Sequence, residues 1–316
     1  MARALRFEDY TIAWIAVLRI EAQAAVRVLD VLHEGQFPLS PNDDYIFIGG
    51  EINNHNVVIA TFPKGQTNGT NSAAALAGHI KARFPNLWFS LLVGVAAGVP
   101  NLQASDPTQR RDIRLGDVLV CVPERNSTGV IQYDQGVYVS SDQGAGFVLK
   151  GRQAETIAVV RSAIGYISLT KRNPFKHGQP FATWLEEVQA DHEDSLFDCP
   201  PQVEDVLYCT REEGAHASTR FPLDRKPRPP DHRTRVWYGK IGSGNGLIIS
   251  ARKRDMLRDE HDIIGLEMEA AGVMNVLQAG VIRGVCDYAD GQKDKRWQPY
   301  AAAVAAVYAK GILSSI

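Results

Sequence analysis

The sequence predicts an α/β protein in three layers, a twisted mixed β-sheet flanked by helices. Three observations point there. Short apolar runs rich in β-formers alternate with segments whose apolar or small residues recur at helical spacing. One run, Trp88 to Val95, is continuously apolar, which suits a strand buried on both faces. The last long segment, Pro299 to Leu313, is rich in Ala with Val and Tyr, and reads as a helix that closes the same core. Strands separated by helices in this manner give a sheet covered on both faces.

The elements follow in order. Thr11 to Leu18 reads as a strand, and Ile20 to Leu32 as a helix on Ala24, Ala25, Val28, Leu29 and Leu32. Tyr45 to Ile48 and Asn56 to Thr61 are two more strands joined by a polar turn, and Asn71 to Phe84 is a helix on small residues. The buried run Trp88 to Val95 ends in the turn Gly94 to Gly98, and Ile113 to Val122 is the next strand. Between Ser127 and Arg235 the periodicity weakens, leaving helices around Gln153 to Leu169 and Trp184 to Asp191. Arg220 to Arg235 carries six basic residues, two acidic ones and four prolines, and reads as an exposed loop or flexible linker. Order then returns with strand-like Tyr238 to Ile249, a charged helix at Arg252 to His261 and a strand at Ile263 to Glu269. A helix at Ala270 to Leu277 and a strand at Val281 to Tyr288 complete the pattern before the final helix. The expected organisation is one domain over residues 1–316, with residues 126–235 as an insertion or lid-like excursion.

Composition excludes several classes. The 316 residues are 45% hydrophobic and 22% charged, enough to bury a large core, so disordered and fibrous chains are out. A formal net charge of −2 gives no reason to expect nucleic acid as a partner. Cys121, Cys199, Cys209 and Cys286 are too few and scattered for a disulfide scaffold, and no C-x-x-C pair suggests a metal knuckle. Reduced thiols, with no signal peptide before the first apolar run, make the expected location cytoplasmic. The longest uncharged stretch, Pro85 to Ser105, is broken by Gly94, Gly98 and Pro100, so no membrane association is expected.

Four acidic residues stand where strands hand over to helices: Glu21, Glu267, Glu269 and Asp287. In α/β folds the carboxyl ends of strands gather ligand-binding groups into one crevice. Each has a plainer alternative: Glu21 complements a helix dipole, and Asp287 serves a turn. Glu267 and Glu269, two apart on a strand, would project to one side, where like charges need a ligand or a counter-charge. A sugar diol and a metal are possible ligands, the metal less well matched for want of further oxygen or His donors, and a salt bridge to Arg252 or Arg254 is the structural alternative. The Gly94 to Gly98 turn lacks the spacing of a Rossmann or P-loop, and Gly242-Ser243-Gly244-Asn245 is similarly ambiguous. No G-x-S-x-G elbow or paired His supports Ser/His hydrolysis.

Taken together, YTIAWIAVLRIEA (10–22), GTNSAA (69–74), LVGVAAGVP (92–100), DIRLGDVLV (112–120), YGKIGSGNGLI (238–248), LEMEAAGVMN (266–275) and VIRGVCDYAD (281–290) resemble the nucleoside phosphorylase and nucleosidase superfamily. The likeness is nearest to fungal domains found at the N-terminus of NLR-type receptors, which share GTNSAA, EMEAAG, the CDYAD stretch and KRWQPYAAA. The resemblance implies that Met268 packs on a ribose whose hydroxyls bond Glu269, with Glu267 beside them. It implies that Asp287 protonates the purine at N7, which calls for a raised pKa that partial burial could supply. Glu21 matches the glutamate that positions water in methylthioadenosine/S-adenosylhomocysteine nucleosidases. Gly94, Ala96, Ser243, Asn245 and Leu247 are the further substrate-binding positions.

Phosphorylases of the family bind phosphate through arginine and a Ser or Thr in the Gly-rich turn, where this chain has neither, so hydrolysis is expected over phosphorolysis. Arg19 is the exception that keeps phosphorolysis open. Some of the fungal domains resemble enzymes that remove adenine from nucleotides, and Arg252, Arg254, Lys293, Lys295, Arg296 and the 220–235 segment are the candidate phosphate contacts. The expected ligand is thus a purine nucleoside or nucleotide, with no metal or organic cofactor and a homo-oligomeric assembly. A catalytically silent nucleotide sensor is the alternative of another class.

Overall fold

The computed structural model describes residues 4–41, 43–124, 126–141, 144–171, 173–190, 195–212 and 218–316. Its first half runs β1 (Ile12–Ile15), α1 (Arg19–Arg27), β2 (Val31–Leu32), β3 (Phe47–Ile52), β4 (His55–Ala60), α2 (Thr70–Arg83), β5 (Phe89–Gly98) and β6 (Val118–Cys121). The middle adds β7 (Val130–Gln132), β8 (Gly136–Ser141), β9 (Gly144–Leu149), α3 (Ala158–Thr170), α4 (Pro180–Gln189), β10 (Tyr208–Glu212) and β11 (Ser218–Pro222). The last part is β12 (Val236–Ser243), α5 (Ala251–His261), β13 (Ile263–Glu267), α6 (Ala270–Met274), β14 (Gly280–Asp287) and α7 (Trp297–Leu313).

The central sheet has the order β13-β12-β6-β14-β5-β1-β4-β3-β2, with β7 beside β12. It is mixed. β14, β5, β1 and β4 lie mutually parallel, whereas β6 is antiparallel to β14 and β3 antiparallel to β4. The sheet also folds back on itself, because β13 pairs antiparallel with the end of β5 through Gly265 opposite Gly98 and Leu266 opposite Ala97. That closure brings the end of β13 to the carboxyl ends of β1, β5 and β14.

β5 is almost wholly buried, as its unbroken apolar run requires of a strand covered on both faces. α7 packs against β14, β5 and β6 on one side and α1, α3 and α4 on the other, which explains why so little of it is polar. α2 meets α6 at Gly272, where a β-carbon would lie 1.8 Å from the Thr70 carbonyl oxygen. Only glycine permits that approach, and it sets the start of α2 beside the Glu267–Glu269 turn.

The weakly periodic middle divides. β7 joins the central sheet, and α3 and α4 pack on α7, while β8–β9 and β10–β11 form separate two-stranded hairpins. The expected helix end at Asp191 lies outside the described residues; α4 stops at Gln189. Residues 220–235 depart from the expected free linker. The Arg228 guanidinium is 3% exposed and grips the fully buried Asp117, at 2.6 Å to Oδ1 and 3.0 Å to Oδ2. Arg225, whose side chain is 6% exposed, bonds the carbonyl and carboxylate of Asp205 at 2.9 Å each. The segment opens with the end of β11 and makes one 3₁₀ turn at Pro230–His232, and two of its arginines are core ion-pair partners, which makes it a strap. An exposed-loop reading from composition fails because long side chains can be buried at the head when a buried carboxylate meets them.

Candidate active site

Four backbone ends build the site. Glu21 is the third residue of α1, and its Oε2 accepts the Leu18 N–H at 2.9 Å, capping the helix that follows β1. Its other oxygen, Oε1, accepts the Val95 N–H at 2.8 Å from β5. The helix-dipole role and the crevice role are therefore held by one side chain. Gly94 makes room for this: a β-carbon there would lie 2.2 Å from Glu21 Oε1 and 2.6 Å from Arg283 Nη1.

Glu267 ends β13, and the chain turns before Glu269, which is the N-cap of α6. The pair therefore meets through a turn, and the expected two-residue strand period is not the cause. Glu267 caps α6, accepting the N–H of Glu269 at 3.0 Å and of Ala270 at 2.9 Å. The counter-charge is Arg283 of β14, entirely buried, which neither Arg252 nor Arg254 replaces. Its Nη2 bonds Glu267 Oε2 and lies 3.3 Å from Glu269 Oε2, and its Nη1 is 3.9 Å from Glu21 Oε1. Three carboxyl groups thus share one guanidinium, so negative charge is in excess unless a carboxyl holds a proton. Burial pushes Glu269 up to about 8, with Glu267 and Glu21 adding to the rise and Arg283 opposing it. Burial also raises Glu21, against the pull of Arg283 and its two backbone donors.

Asp287 closes β14. The pairing of β14 with β5 slips between Val285 and Asp287, a bulge at Cys286 that turns both Cys286 and Asp287 to the same cavity. Asp287 Oδ1 accepts the Ala289 N–H at 2.8 Å, and Oδ2 is 3.2 Å from Lys293 Nζ. Ala289 has φ of 52°, a left-handed conformation unusual for alanine.

Glu21, Glu267, Glu269 and Asp287 line one cavity, whose empty space is about 670 Å³ with its open mouth included. Glu21, Ala96, Leu247, Glu267, Met268, Glu269, Asp287 and Lys293 face it, joined by Asn68, Tyr133 and Gln298, which the sequence reading missed. Arg283 was missed as well. Its signal was a lone cation inside the otherwise uncharged run Val281 to Cys286.

Other expected residues lie elsewhere. Ser243 Oγ accepts the Ala271 N–H at 3.0 Å and supports α6. Asn245 Oδ1 accepts the Thr70 N–H and hydroxyl at 3.0 Å each, tying α2 to the loop after β12. Arg254 is turned into the core, where Nη1 donates to the Tyr288 carbonyl at 3.0 Å and Nε to Asp255. Arg296 pairs with Asp294 and Glu204. Arg19, Arg252 and Lys295 are exposed and do not line the cavity, which leaves Lys293 as the one candidate cation there among the described residues. Among the described residues no group of three or more His, Cys, Asp or Glu could hold a metal ion. No helix among them is long and apolar enough to cross a membrane.

The mixed sheet between helices is the fold of solved nucleosidase structures. The chain is similar to futalosine hydrolase of Helicobacter pylori, with a TM-score of 0.59 and 15% identity over 98% of this chain and 99% of that one. It is similar to 5'-methylthioadenosine/S-adenosylhomocysteine nucleosidase of the same organism, with a TM-score of 0.60 and 16% identity over 98% and 99% of the two chains. The corresponding nucleosidase of Neisseria meningitidis, solved with methylthio-immucillin-A, gives 0.58 and 17% over 97% and 99%. In sequence, the chain is 38% identical over 312 residues to a nucleotide-binding leucine-rich repeat (NLR)-like protein of Hyaloscypha variabilis. That match takes in 98% of this chain and 30% of the relative's length. No protein-family model matches the chain.

Proposed function

We propose that the protein is a purine nucleosidase that hydrolyses the N-ribosidic bond, with adenine as the base implied by the resemblance to the fungal domains. The observation that carries this reading is that Glu21 and Glu269, both beside the buried Arg283, share one cavity wall with Asp287. Breaking the C–N bond puts positive charge on the ribose and negative charge on the departing base. The Glu269 and Glu21 carboxyls on the cavity wall offset the first as they ionise, and a proton from Asp287 to N7 relieves the second. Met268 packs on the sugar, and Glu269 bonds its hydroxyls. Arg283 Nη1 makes no hydrogen bond to the protein, and a water oxygen bridging it to Glu21 Oε1 across 3.9 Å would satisfy both. A Glu21 carboxyl raised by burial suits a group that takes a proton from that water.

Gly94 to Gly98 is the second half of β5 and not the expected turn, and water is favoured over phosphate as nucleophile because Glu21 already occupies the Val95 N–H of that strand, where an anion would meet a carboxylate. With Lys293 the only candidate cation on the cavity wall among the described residues, nucleosides fit better than nucleotides. The test is a chromatographic screen of adenosine, inosine, AMP, ATP and methylthioadenosine, each with and without phosphate. Release of adenine and free ribose from adenosine without phosphate is expected, together with its loss by about 10²–10⁴-fold in Asp287→Asn. Ribose 1-phosphate formed only with phosphate, or an unaffected Asp287→Asn, overturns the reading.

A further inference from the structure

The turn that carries Asp287 does not support itself. It contains the bulge at Cys286 and the left-handed Ala289, a conformation that costs any residue but glycine free energy and persists only where its surroundings hold it. Between them lies Tyr288, 1% exposed and absent from the cavity wall. Its hydroxyl donates to Asp205 Oδ1, and accepts from Arg225 Nη2 at 3.0 Å and from the Leu115 N–H at 3.1 Å. One donor and two acceptor sites are all that a phenol has, so its capacity is filled. Burial, then the Asp205 carboxylate, push the phenol's pKa well up, which keeps it a neutral donor. Arg225 also lies over the Tyr288 ring, 5.3 Å from its centre. At the other end, the Tyr288 carbonyl accepts from Arg254.

We propose that Tyr288 is a positioning residue for Asp287, and that the strap residue Arg225, with Asp205, holds it by the hydroxyl so that the bulged turn aims the carboxyl at the leaving base. The inference rests on the reading of Asp287 as general acid. It gives the proline-rich strap a task in the reaction, although Tyr288, Asp205 and Arg225 do not touch the cavity. Arg254 acts from behind on the same peptide.

The test compares two substrates of the full chain. Adenosine needs its base protonated on departure, whereas 4-nitrophenyl β-D-ribofuranoside expels 4-nitrophenolate, a stable anion that needs no acid, as water takes the ribosyl carbon. Tyr288→Phe keeps the ring and removes the hydroxyl. It is expected to lower kcat on adenosine by about ten- to a hundredfold, with KM within about twofold, and to leave the nitrophenyl riboside rate within about twofold. Arg225→Gln is expected to show the same split, and serves if Tyr288→Phe does not fold. Equal losses on both substrates, or no loss on either, overturn the proposal while leaving Asp287 as the acid, provided Asp287→Asn still loses adenosine alone. If Asp287→Asn loses both substrates equally, or the wild type cleaves neither, the reading of the site fails and takes this proposal with it.

Discussion

Replacing Glu269 by Gln tests the electrostatics of the site through stability, independently of any substrate. The folded carboxyl is pushed up to about 8, whereas the unfolded value is 4.5. A carboxyl raised on folding contributes stability that is fully present below the unfolded value and is lost as pH rises through the folded one. Between those limits the unfolded chain releases a proton that the native protein keeps, so stability falls by about 1.4 kcal/mol per pH unit. From pH 5 to pH 8 that amounts to about 4 kcal/mol. Gln keeps the shape and cannot ionise. Urea unfolding at pH 5, 6, 7 and 8 should therefore find the two proteins similar at pH 5 and the variant favoured by about 4 kcal/mol at pH 8. Glu21, also raised, leaves a residual slope in the variant. A stability difference that stays constant from pH 5 to pH 8 would refute the argument that the Arg283 cluster carries surplus carboxylate.

Further outcomes follow from the same geometry. Gly94→Ala would bring a β-carbon 2.2 Å from Glu21 Oε1, so either the Val95 bond or the helix cap must break; a loss of activity of at least about tenfold is expected in steady-state assays, and wild-type activity would show that Glu21 is not held there. Glu21→Gln should lower adenine release by about 10²–10⁴-fold in phosphate-free buffer, with no rescue by added phosphate. Arg228→Met strands the fully buried Asp117 and should cost about 3–5 kcal/mol in denaturant unfolding; a cost below about 1 kcal/mol would mean that the strap is only a surface loop.

Much of the sheet is legible because its strands are chemically conspicuous. An uninterrupted apolar run such as Leu91 to Val93 has few alternatives to a strand buried on both faces, and the small residues of α7 admit a helix in close contact with it. The strands of the middle are not legible. β7 is three residues long and is a strand only by pairing with β12, while β8 to β11 pair only as hairpins. At the site, Glu21, Glu269 and Asp287 are readable as acids at strand ends. What they do to one another is not, since the partner they depend on, Arg283, lies on β14, a strand where periodicity predicts only core.

By itself the sequence determined the layer architecture, the placing of the acids at strand ends and the absence of a Ser/His or phosphate-loop pattern, because these depend on local composition and spacing. Only the tertiary structure decided which cations are available and which are spent. Arg225, Arg228, Arg254 and Arg283 look alike in the chain as basic residues, yet each is buried against a carboxylate or carbonyl brought from elsewhere. Whether a charge is solvated, paired or facing a ligand depends on which distant group it meets at 3 Å, and Coulomb energy in a buried site changes too steeply with that distance to be read from sequence order.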